Sequence, residues 1–316
     1  MPLRFTLRQL EYFVAVGEAG SIALASEKVN VSSPSISAAV SQLENEFGLQ
    51  LFVRKHAQGL SLTQAGHQFM DQARAVLHEA GALSRLADNI SGFVQGPLSV
   101  GCLLTFAQLI VPGLRRQFEA LYPAVTISQM ERDQAGLINL IRQARIDVAL
   151  TYDLNIPADL KFNALAELPP YALLCEDHPL ADRESVTVEE LAAHPMVLLD
   201  LPLSAEYFLS FFEDAGVTPQ IAERTRDMAV MRGLVANGFG YSIANIRPVT
   251  DMAPDGRKLK FVPIGGKLRP MRMGLLTAEG AENVLTVKTF IGYCREQITS
   301  GTVPGIRIEG GGGGAA

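Results

Sequence analysis

The sequence has few cysteines and no long apolar run, which excludes several classes of protein. Cys102, Cys175 and Cys294 are scattered and form no CxxC pair. This usage is typical of a reducing compartment and argues against a disulfide framework, so we expect three separate buried thiols. No apolar run reaches the roughly 18 residues of a transmembrane helix. Gln9 and Glu11 interrupt any stretch resembling a signal peptide. We therefore expect a cytoplasmic protein with no membrane partner.

The sequence also lacks an excess of positive charge. The formal net charge is −6 for 316 residues. Near the N-terminus each cation is matched by an acid, because Arg4, Arg8, Lys28, Arg54 and Lys55 stand against Glu11, Glu18, Glu27, Glu44 and Glu46. Composition alone therefore does not indicate a nucleic-acid-binding protein. Such a function has to rest on where the few cations lie.

Common catalytic motifs are missing as well. The sequence contains no GxSxG elbow, no P-loop, no HExxH and no GxGxxG at a strand-to-helix turn. His67 and His78 fall on a predicted helix and His178 and His194 in predicted loops, without an evident nucleophile or metal partner. We predict that the protein is not an enzyme and needs no cofactor or metal. The alternative is an α/β catalytic domain fused to a small helical module.

The first sixty residues have the spacing of a helix-turn-helix. Leu10 and Phe13 follow helical periodicity up to Gly20, and Ser21 is a plausible N-cap for a second, short helix. Pro34 suits the first position of a third helix, whose apolar stripe is Ile36, Ala39, Val40, Leu43 and Phe47. Two short helices followed by a longer helix with a small polar outer face are typical of DNA-binding domains. The alternative is a three-helix bundle with a solvated serine-rich face.

A hairpin, or wing, is predicted next, with strands at residues 49–55 and 60–63 around the turn at residues 56–59. Small side chains let the third helix approach base edges, and cations on the wing can contact phosphates. The predicted DNA-binding residues are Ser32, Ser33, Pro34, Ser35, Ser37, Ala38, Ser41, Arg54, Lys55 and Thr63.

The segment from Leu7 to Gly66 resembles the DNA-binding domain of the LysR-type transcriptional regulators. The matching pieces are residues 10–13, 20–21, 31–37, 42–44, 47–48, 51–54 and 62–66. Ser33 stands where the family commonly has Gln, and Ala38 where it often has Arg, so two long donors are missing. The resemblance implies a winged helix-turn-helix bound to a double-stranded DNA operator, a small-molecule effector and an effect on RNA polymerase.

A long helix is predicted from Thr63, a plausible N-cap, spanning roughly 45 Å. Its apolar residues alternate in spacings of four and three, namely Phe69, Ala73, Val76, Ala80, Leu83, Ala87, Ile90 and Val94. This heptad rhythm favours a coiled coil with a second copy. A homodimer or homotetramer would place two third helices in major grooves about 34 Å apart. The alternative is a helix packed against its own domain.

The rest of the chain alternates between strands and helices. Strands at residues 98–102, 125–130 and 146–151 flank helices at 105–120 and 135–145, and a similar series runs from Tyr171 to Ala244. This alternation predicts parallel sheets with helices on their faces. The segment resembles the effector-binding domain of the same family, which implies two Rossmann-like α/β lobes like those of periplasmic binding proteins. A solute-binding transport protein is the alternative, which the helix-turn-helix and the missing signal peptide oppose.

These patterns predict an all-α winged helix-turn-helix at residues 1–62, a linker and dimerisation helix at 63–95, and an effector-binding α/β domain at 96–301. Lobe I comprises about 96–166 and 271–300, and lobe II about 167–270. Residues 302–316 are predicted to be a flexible Gly-rich tail, because their composition offers little surface to bury.

A cleft is predicted between the lobes, where strands end and helices begin. The candidate effector-binding residues are Leu104, Thr105, Phe106, Glu131, Arg132, Asp133, Thr151, Leu201, Ser204, Asp227 and Asn245. Helix N-termini suit a small, anionic metabolite. In the family, the equivalents of Thr105 and Ser204 lie at the cleft. The alternative is that Thr105, Asp133 and Ser204 are only helix caps. Redox sensing at Cys102 is disfavoured, because no second cysteine is near in sequence.

Overall fold

The structure, a computed structural model, describes residues 3–55 and 59–308, except for the side chains of residues 54, 55, 84, 85, 88, 89, 91 and 308. The chain forms two compact units, one ending at Phe93 and the other containing nearly all of the chain from Val94 onward. Residues 56–58 of the predicted wing turn and residues 309–316 of the predicted Gly-rich tail lie outside the described residues. No helix of the described residues is long and apolar enough to cross a membrane.

The N-terminal unit consists of helices and one hairpin. Its elements are α1 (Leu7–Ala19), α2 (Ile22–Val29), α3 (Ser33–Phe47), β1 (Phe52–Lys55), β2 (Gly59–Leu62) and α4 (Gln64–Ser91). Thr6 and Gln9 form a capping box at the start of α1. Gly20, Asn30 and Gly48 end the first three helices in the left-handed conformation, as helix C-caps commonly do.

Specific hydrogen bonds attach the hairpin to the helices. The amide of Leu60 donates to the carbonyl of Gly20 at 2.8 Å. A Glu44 carboxylate oxygen on α3 accepts from the amides of Leu51 at 2.8 Å and Phe52 at 3.1 Å. Gly66 of α4 runs so close that an added Cβ would lie 2.1 Å from the Leu51 carbonyl oxygen. The position of the wing relative to α3 is thereby set.

Helix α4 divides into two parts along its length. At its start Met70 and Ala73 are buried, and the Phe69 ring lies 5.2 Å from that of Phe13. The prediction that Phe69 and Ala73 belong to a coiled-coil seam is therefore wrong, because both pack into the core of their own unit. The more distant apolar residues are exposed, by 40% at Val76, 74% at Leu83 and 80% at Ile90.

The predicted end of this helix is also corrected. It ends at Ser91 rather than 95, since Gly92 and Gly96 adopt positive φ angles of 72° and 90°. Val94 therefore follows the helix, and it packs against the core of the second unit.

Lobe I of the second unit is a six-stranded mixed sheet with helices against it. Its strands are β3 (Gly96–Cys102), β4 (Val125–Glu131), β5 (Val148–Tyr152), β6 (Leu160–Leu168), β12 (Met271–Ala278) and β13 (Arg307–Ile308), in the order β13-β6-β12-β5-β3-β4. Its helices are α5 (Leu104–Leu109), α6 (Val111–Leu121), α7 (Gln134–Arg142) and α11 (Leu285–Gln297), with a short 3-10 helix at Ala281–Asn283. Strand β3 pairs in parallel with β4 and β5, whereas β12 is antiparallel to β5 and β6.

Lobe II is built from the segment between β6 and β12. Its strands are β7 (Tyr171–Cys175), β8 (Pro195–Leu199), β9 (Gln220–Thr225), β10 (Ser242–Ala244) and β11 (Leu259–Pro263), and its helices are α8 (Val188–Ala192), α9 (Ser204–Asp214) and α10 (Met228–Ala236). Strand β7 pairs antiparallel with β10 and β11, and β8 pairs in parallel with β9. The two-lobed α/β architecture predicted from the sequence is confirmed.

Two sequence predictions for this unit are wrong in detail, and one strand was missed. The helix predicted at 105–120 is two helices that divide at Ile110, just before Pro112. Strand β6 was not predicted. Residues 302–308 are not a flexible tail, because Val303 and Ile306 are buried in the apolar core and β13 pairs with β6.

Candidate functional site

Helix α3 presents a small polar face to solvent. Ser32, Pro34, Ser35, Ser37, Ala38 and Ser41 are exposed, whereas Ser33 is half-buried. The opposite face is anchored by Ile36, Ala39, Val40 and Leu43, all buried in the core of the N-terminal unit. The helix is therefore firmly held while its predicted DNA-binding face stays uncovered within this unit.

Most hydroxyls on this face are available for contacts. The Oγ atoms of Ser32 and Ser35 lie 2.8 Å apart. Ser37 and Ser41 make no side-chain hydrogen bond within the part of the chain that the structure describes. One further residue on this face, Gln42, already has a hydrogen-bond partner, because Gln9 of α1 donates to its Oε1 at 2.8 Å.

Thr63 is used as a helix cap. Its hydroxyl donates to the Gln50 carbonyl at 2.7 Å and accepts from the Gly66 amide at 2.8 Å. Only one lone pair of that oxygen is left for another donor. The two predicted wing cations lie in β1, where Arg54 pairs with Leu60 and Lys55 with Gly59, next to the turn. Their side chains lie outside the described residues.

The second unit contains a cavity of about 380 Å³ between the two lobes. Seven of the predicted effector-binding residues line it, namely Leu104, Thr105, Glu131, Arg132, Asp133, Leu201 and Ser204. The first five come from lobe I and the last two from lobe II. Strand ends and helix starts from separate parts of the sequence thus converge on one space.

Four predicted residues do not line this cavity. Phe106 is fully buried in the core of lobe I. The hydroxyl of Thr151, also fully buried, donates to Gln134 at 3.2 Å. Asp227 caps α10 by accepting from the amides at its start. Asn245 donates to the Leu168 carbonyl at 2.7 Å, beside the crossing between the lobes. All four stabilise the surroundings of the cavity.

Seven lining residues were missed by sequence reasoning, namely Leu103, Gln108, Gln134, Tyr152, Pro202, Arg226 and Met228. All of them except Gln108 are immediate neighbours of predicted residues, and Tyr152 and Arg226 show why. Tyr152 follows Thr151, and successive side chains of a strand alternate between its faces. Arg226 precedes the cap residue Asp227. The correct positions were thus one residue away from the predicted ones.

The electrostatics of lobe I near the cavity disfavour thiol chemistry. Burial, together with the charge of Glu131, raises the pKa of Cys102 to about 12. Burial also raises the pKa of Cys294. A thiol in this state is a poor nucleophile, because the thiolate is the reactive form. The structure therefore gives no support to redox sensing at Cys102.

Comparison with known proteins agrees with this architecture. Residues 7–67 match the family model of the bacterial regulatory helix-turn-helix proteins of the lysR family, and residues 91–299 match the LysR substrate-binding domain. The chain belongs to the LysR family. It is accordingly a DNA-binding transcriptional regulator with a substrate-binding domain.

Individual relatives resemble the chain over most of its length. The crystal structure of HinK, a LysR family regulator from Pseudomonas aeruginosa, is 34% identical, covers 94% of this chain and 99% of its own, and has a TM-score of 0.63. The regulator BsdA of Bacillus subtilis is 27% identical over 77% of this chain and 84% of its own length. The transcriptional activator LysR of Escherichia coli is 28% identical over 79% and 80%.

Proposed function

We propose that α3 of this LysR family member binds in the major groove of its operator, with the wing on the adjacent phosphates. The observation that carries this proposal is the exposed small face of α3 opposite a fully buried anchor. The proposed contacts are Ser32, Ser33, Pro34, Ser35, Ser37, Ala38, Ser41, Arg54, Lys55 and Thr63. Serine hydroxyls can donate to or accept from base edges, and Ala38 suits a thymine methyl group.

The distal part of α4 is proposed to join two copies of the chain. Val76, Leu83 and Ile90 lie seven residues apart and are exposed by 40%, 74% and 80%. Apolar side chains at this spacing form the seam of a coiled coil. Pairing would bury them and present two copies of α3 to one duplex, in a dimer or in a tetramer built from dimers.

The interlobe cavity is proposed to bind a small, anionic effector. Its volume lies at the lower end of the range that small-molecule pockets occupy. Effector binding can change DNA binding only if the effector has a higher affinity for one of two conformations or assembly states of the protein. The outcome is a change in RNA polymerase recruitment in the cytoplasm rather than catalysis. Cys102 and Cys294 are free and buried, whereas Cys175 is only half-buried, so the expectation of three buried thiols is wrong for Cys175.

Selection from random duplexes followed by titration tests the DNA-binding proposal. The full chain should enrich a two-fold symmetric sequence, bind it in preference to competitor DNA, and lose affinity steeply as salt rises. The same sample should be at least dimeric in analytical ultracentrifugation. A monomer without preference for any duplex at low ionic strength would contradict both proposals.

A further inference from the structure

Most of the surface area that lines the interlobe cavity is apolar. Leu103 and Leu104 contribute from lobe I, and Leu201, Pro202 and Met228 from lobe II. A polar ligand such as a sugar would leave many of its hydrogen bonds unmade against such walls, at a cost in free energy. The cavity therefore favours a compact ligand with an apolar body.

Two hydroxyl groups that belong to largely buried residues of lobe I lack partners. Thr105 and Tyr152 line the cavity and are only 8% and 7% exposed, yet neither hydroxyl has a hydrogen bond among the described residues. The Tyr152 ring is held in place by Phe106, with ring centroids 4.8 Å apart. Gln134 cannot serve them, because its amide is bonded to Thr151 and to the carbonyls of Tyr152 and Leu154. A polar group at this end of a ligand would give the two hydroxyl groups the hydrogen-bond partners that they lack.

The lobe II side can hold one negative charge. Helix α9 starts at Ser204, in the cavity lining, and its N-cap Leu203 has no side chain able to cap it. Leu203 adopts φ 66° and ψ −38°, a strained conformation of the kind found at ligand sites. The other two helices of eight or more residues that start near the cavity are capped by Asp133 and Asp227. The amide of Ala205 donates to the Leu201 carbonyl at 3.0 Å, which leaves the amides of Ser204 and Glu206 as donors for an anion.

Arg226 adds a cation on the same side. Its side chain lines the cavity and forms no ion pair or hydrogen bond within the described part of the chain. The guanidinium and the Ser204 hydroxyl are donors suited to a carboxylate. Glu206, the acidic residue in the first turn of α9, lines a different cavity.

The lobe I rim disfavours a second negative charge. Glu131 and Asp133 line it as carboxylates, and Arg132 between them donates to the Glu131 carbonyl at 2.6 Å. The two acidic side chains outnumber the one cation here, so a second anionic group that reached this rim would meet a net negative charge. Dicarboxylates and phosphate esters are therefore poorer candidates than monoanions.

We infer that the cavity binds a monocarboxylate with a compact apolar body, its carboxylate on Ser204, Arg226 and the start of α9. A second polar group, where the ligand has one, lies at Thr105 and Tyr152. This inference rests on the proposed effector role of the cavity and names the chemical class of its ligand.

Calorimetric titration of the full chain with ligands that share one ring tests the class. Benzoate, benzamide, phthalate and benzylamine differ in charge but little in the size of their apolar body. Benzoate should bind at least about 10-fold more tightly than the other three, because it alone offers a single negative charge. The chain has no tryptophan, so calorimetry is preferable to intrinsic fluorescence.

Variants then test the residues. Arg226→Gln should weaken benzoate by about 10- to 100-fold and change benzamide little, and Arg226→Lys should restore part of the loss. Arg224→Gln is the matched control, since Arg224 lies two residues away, pairs with Asp200 at 3.3 Å and does not line the cavity. Tyr152→Phe should remove any preference for 4-hydroxybenzoate over benzoate.

Several outcomes would overturn the inference. The inference fails if benzoate and benzamide bind equally well, or if phthalate or benzylamine binds more tightly than benzoate. It also fails if benzoate does not bind at all, or if Arg226→Gln leaves the affinity for benzoate unchanged. Binding of a ligand of another class, lost in Ser204→Ala and Thr105→Val, would overturn the class but keep the proposed effector role. DNA binding by the same samples tests the regulator function separately.

Discussion

The carboxylate of Asp153 accepts hydrogen bonds from the backbone amide of Arg272 at 2.9 Å and from its guanidinium at 2.8 Å. Arg269 donates to the same carboxylate at 3.3 Å. The Asp153 side chain is only 5% exposed. This cluster fixes the end of β5 to the segment that returns from lobe II, so it stabilises the crossing beside the cavity.

Asp153→Asn should therefore destabilise the second unit. The two guanidinium groups donate to one carboxylate oxygen and the Arg272 amide donates to the other. An asparagine has only one acceptor oxygen and no charge, so we expect the free energy of unfolding to fall by about 1–3 kcal/mol. Chemical denaturation of the full chain measures this. Asp182→Asn is the control, because Asp182 is 91% exposed and pairs with Lys260 at 3.4 Å, an arrangement worth little. Similar effects of the two variants would show that the cluster adds no stability.

Replacing the wing cations should weaken DNA binding regardless of base sequence. Arg54→Ala with Lys55→Ala removes two charges next to the hairpin turn, so the logarithmic dependence of affinity on salt should become shallower by up to about 2. Fluorescence anisotropy at several salt concentrations measures the slope. Arg257→Ala with Lys258→Ala removes two adjacent cations from the second unit as a control. An unchanged slope in the wing variant would exclude phosphate contacts there.

Ser37→Ala should alter sequence preference more than affinity for random DNA. The hydroxyl is exposed on α3 and has no partner within the described residues, so its loss leaves the fold intact. A single contact to a base edge contributes about 1–3 kcal/mol of discrimination. Repeated selection from random duplexes, compared with the wild type, reveals the change. If the selected sequences are the same, Ser37 does not read a base.

Charge on the distal part of α4 should prevent association. Leu83→Glu places a carboxylate among exposed apolar side chains, which pairing would bury at a large cost. We expect monomers in analytical ultracentrifugation and loss of the preference for two-fold symmetric sites. Val249→Glu is the control, since Val249 is 85% exposed in the second unit. If the Leu83 variant stays dimeric, another surface joins the copies.

Acid should destabilise the N-terminal unit through Glu18. Burial raises the pKa of this carboxyl, but its bonds to Lys28 and Arg74 outweigh burial and hold the pKa below the ordinary value of 4.5. The carboxylate therefore contributes stability above pH 4.5, and this contribution is lost as pH falls through the lowered value. We expect Glu18→Gln to cost up to about 1 kcal/mol at pH 7, as the loss of a partly exposed ion pair does, and to weaken the acid dependence. Thermal unfolding against pH, with the exposed Glu27→Gln as control, provides the measurement.

The N-terminal unit shows how far local patterns reach. The ends of its short helices follow from residues next to them, such as Gly20 and Gly48 in the left-handed conformation. The family match covers the same segment. In this unit the apolar periodicity, the helix caps and the turn residues lie within a few positions of each other, so the sequence alone predicts where the helices begin and end.

The cavity shows where such reading fails. Thr105 and Ser204 were found because helix starts are visible in sequence, whereas Tyr152 and Arg226 were missed by one position each. Which of two adjacent residues points inward depends on the register of the strand and the path of the loop. Those depend on packing between distant segments.

By itself the amino-acid sequence determined the helix-turn-helix, the two α/β lobes and the rough place of the cleft, because each arises from short-range spacing. Only the tertiary structure decided that Phe69 and Ala73 stay within their own unit, that Val303 and Ile306 close the apolar core, and that an unpaired Arg226 faces the same space as Tyr152. These features depend on which apolar surfaces come into contact when distant segments fold together. A single stretch of sequence does not show which other segment it will pack against.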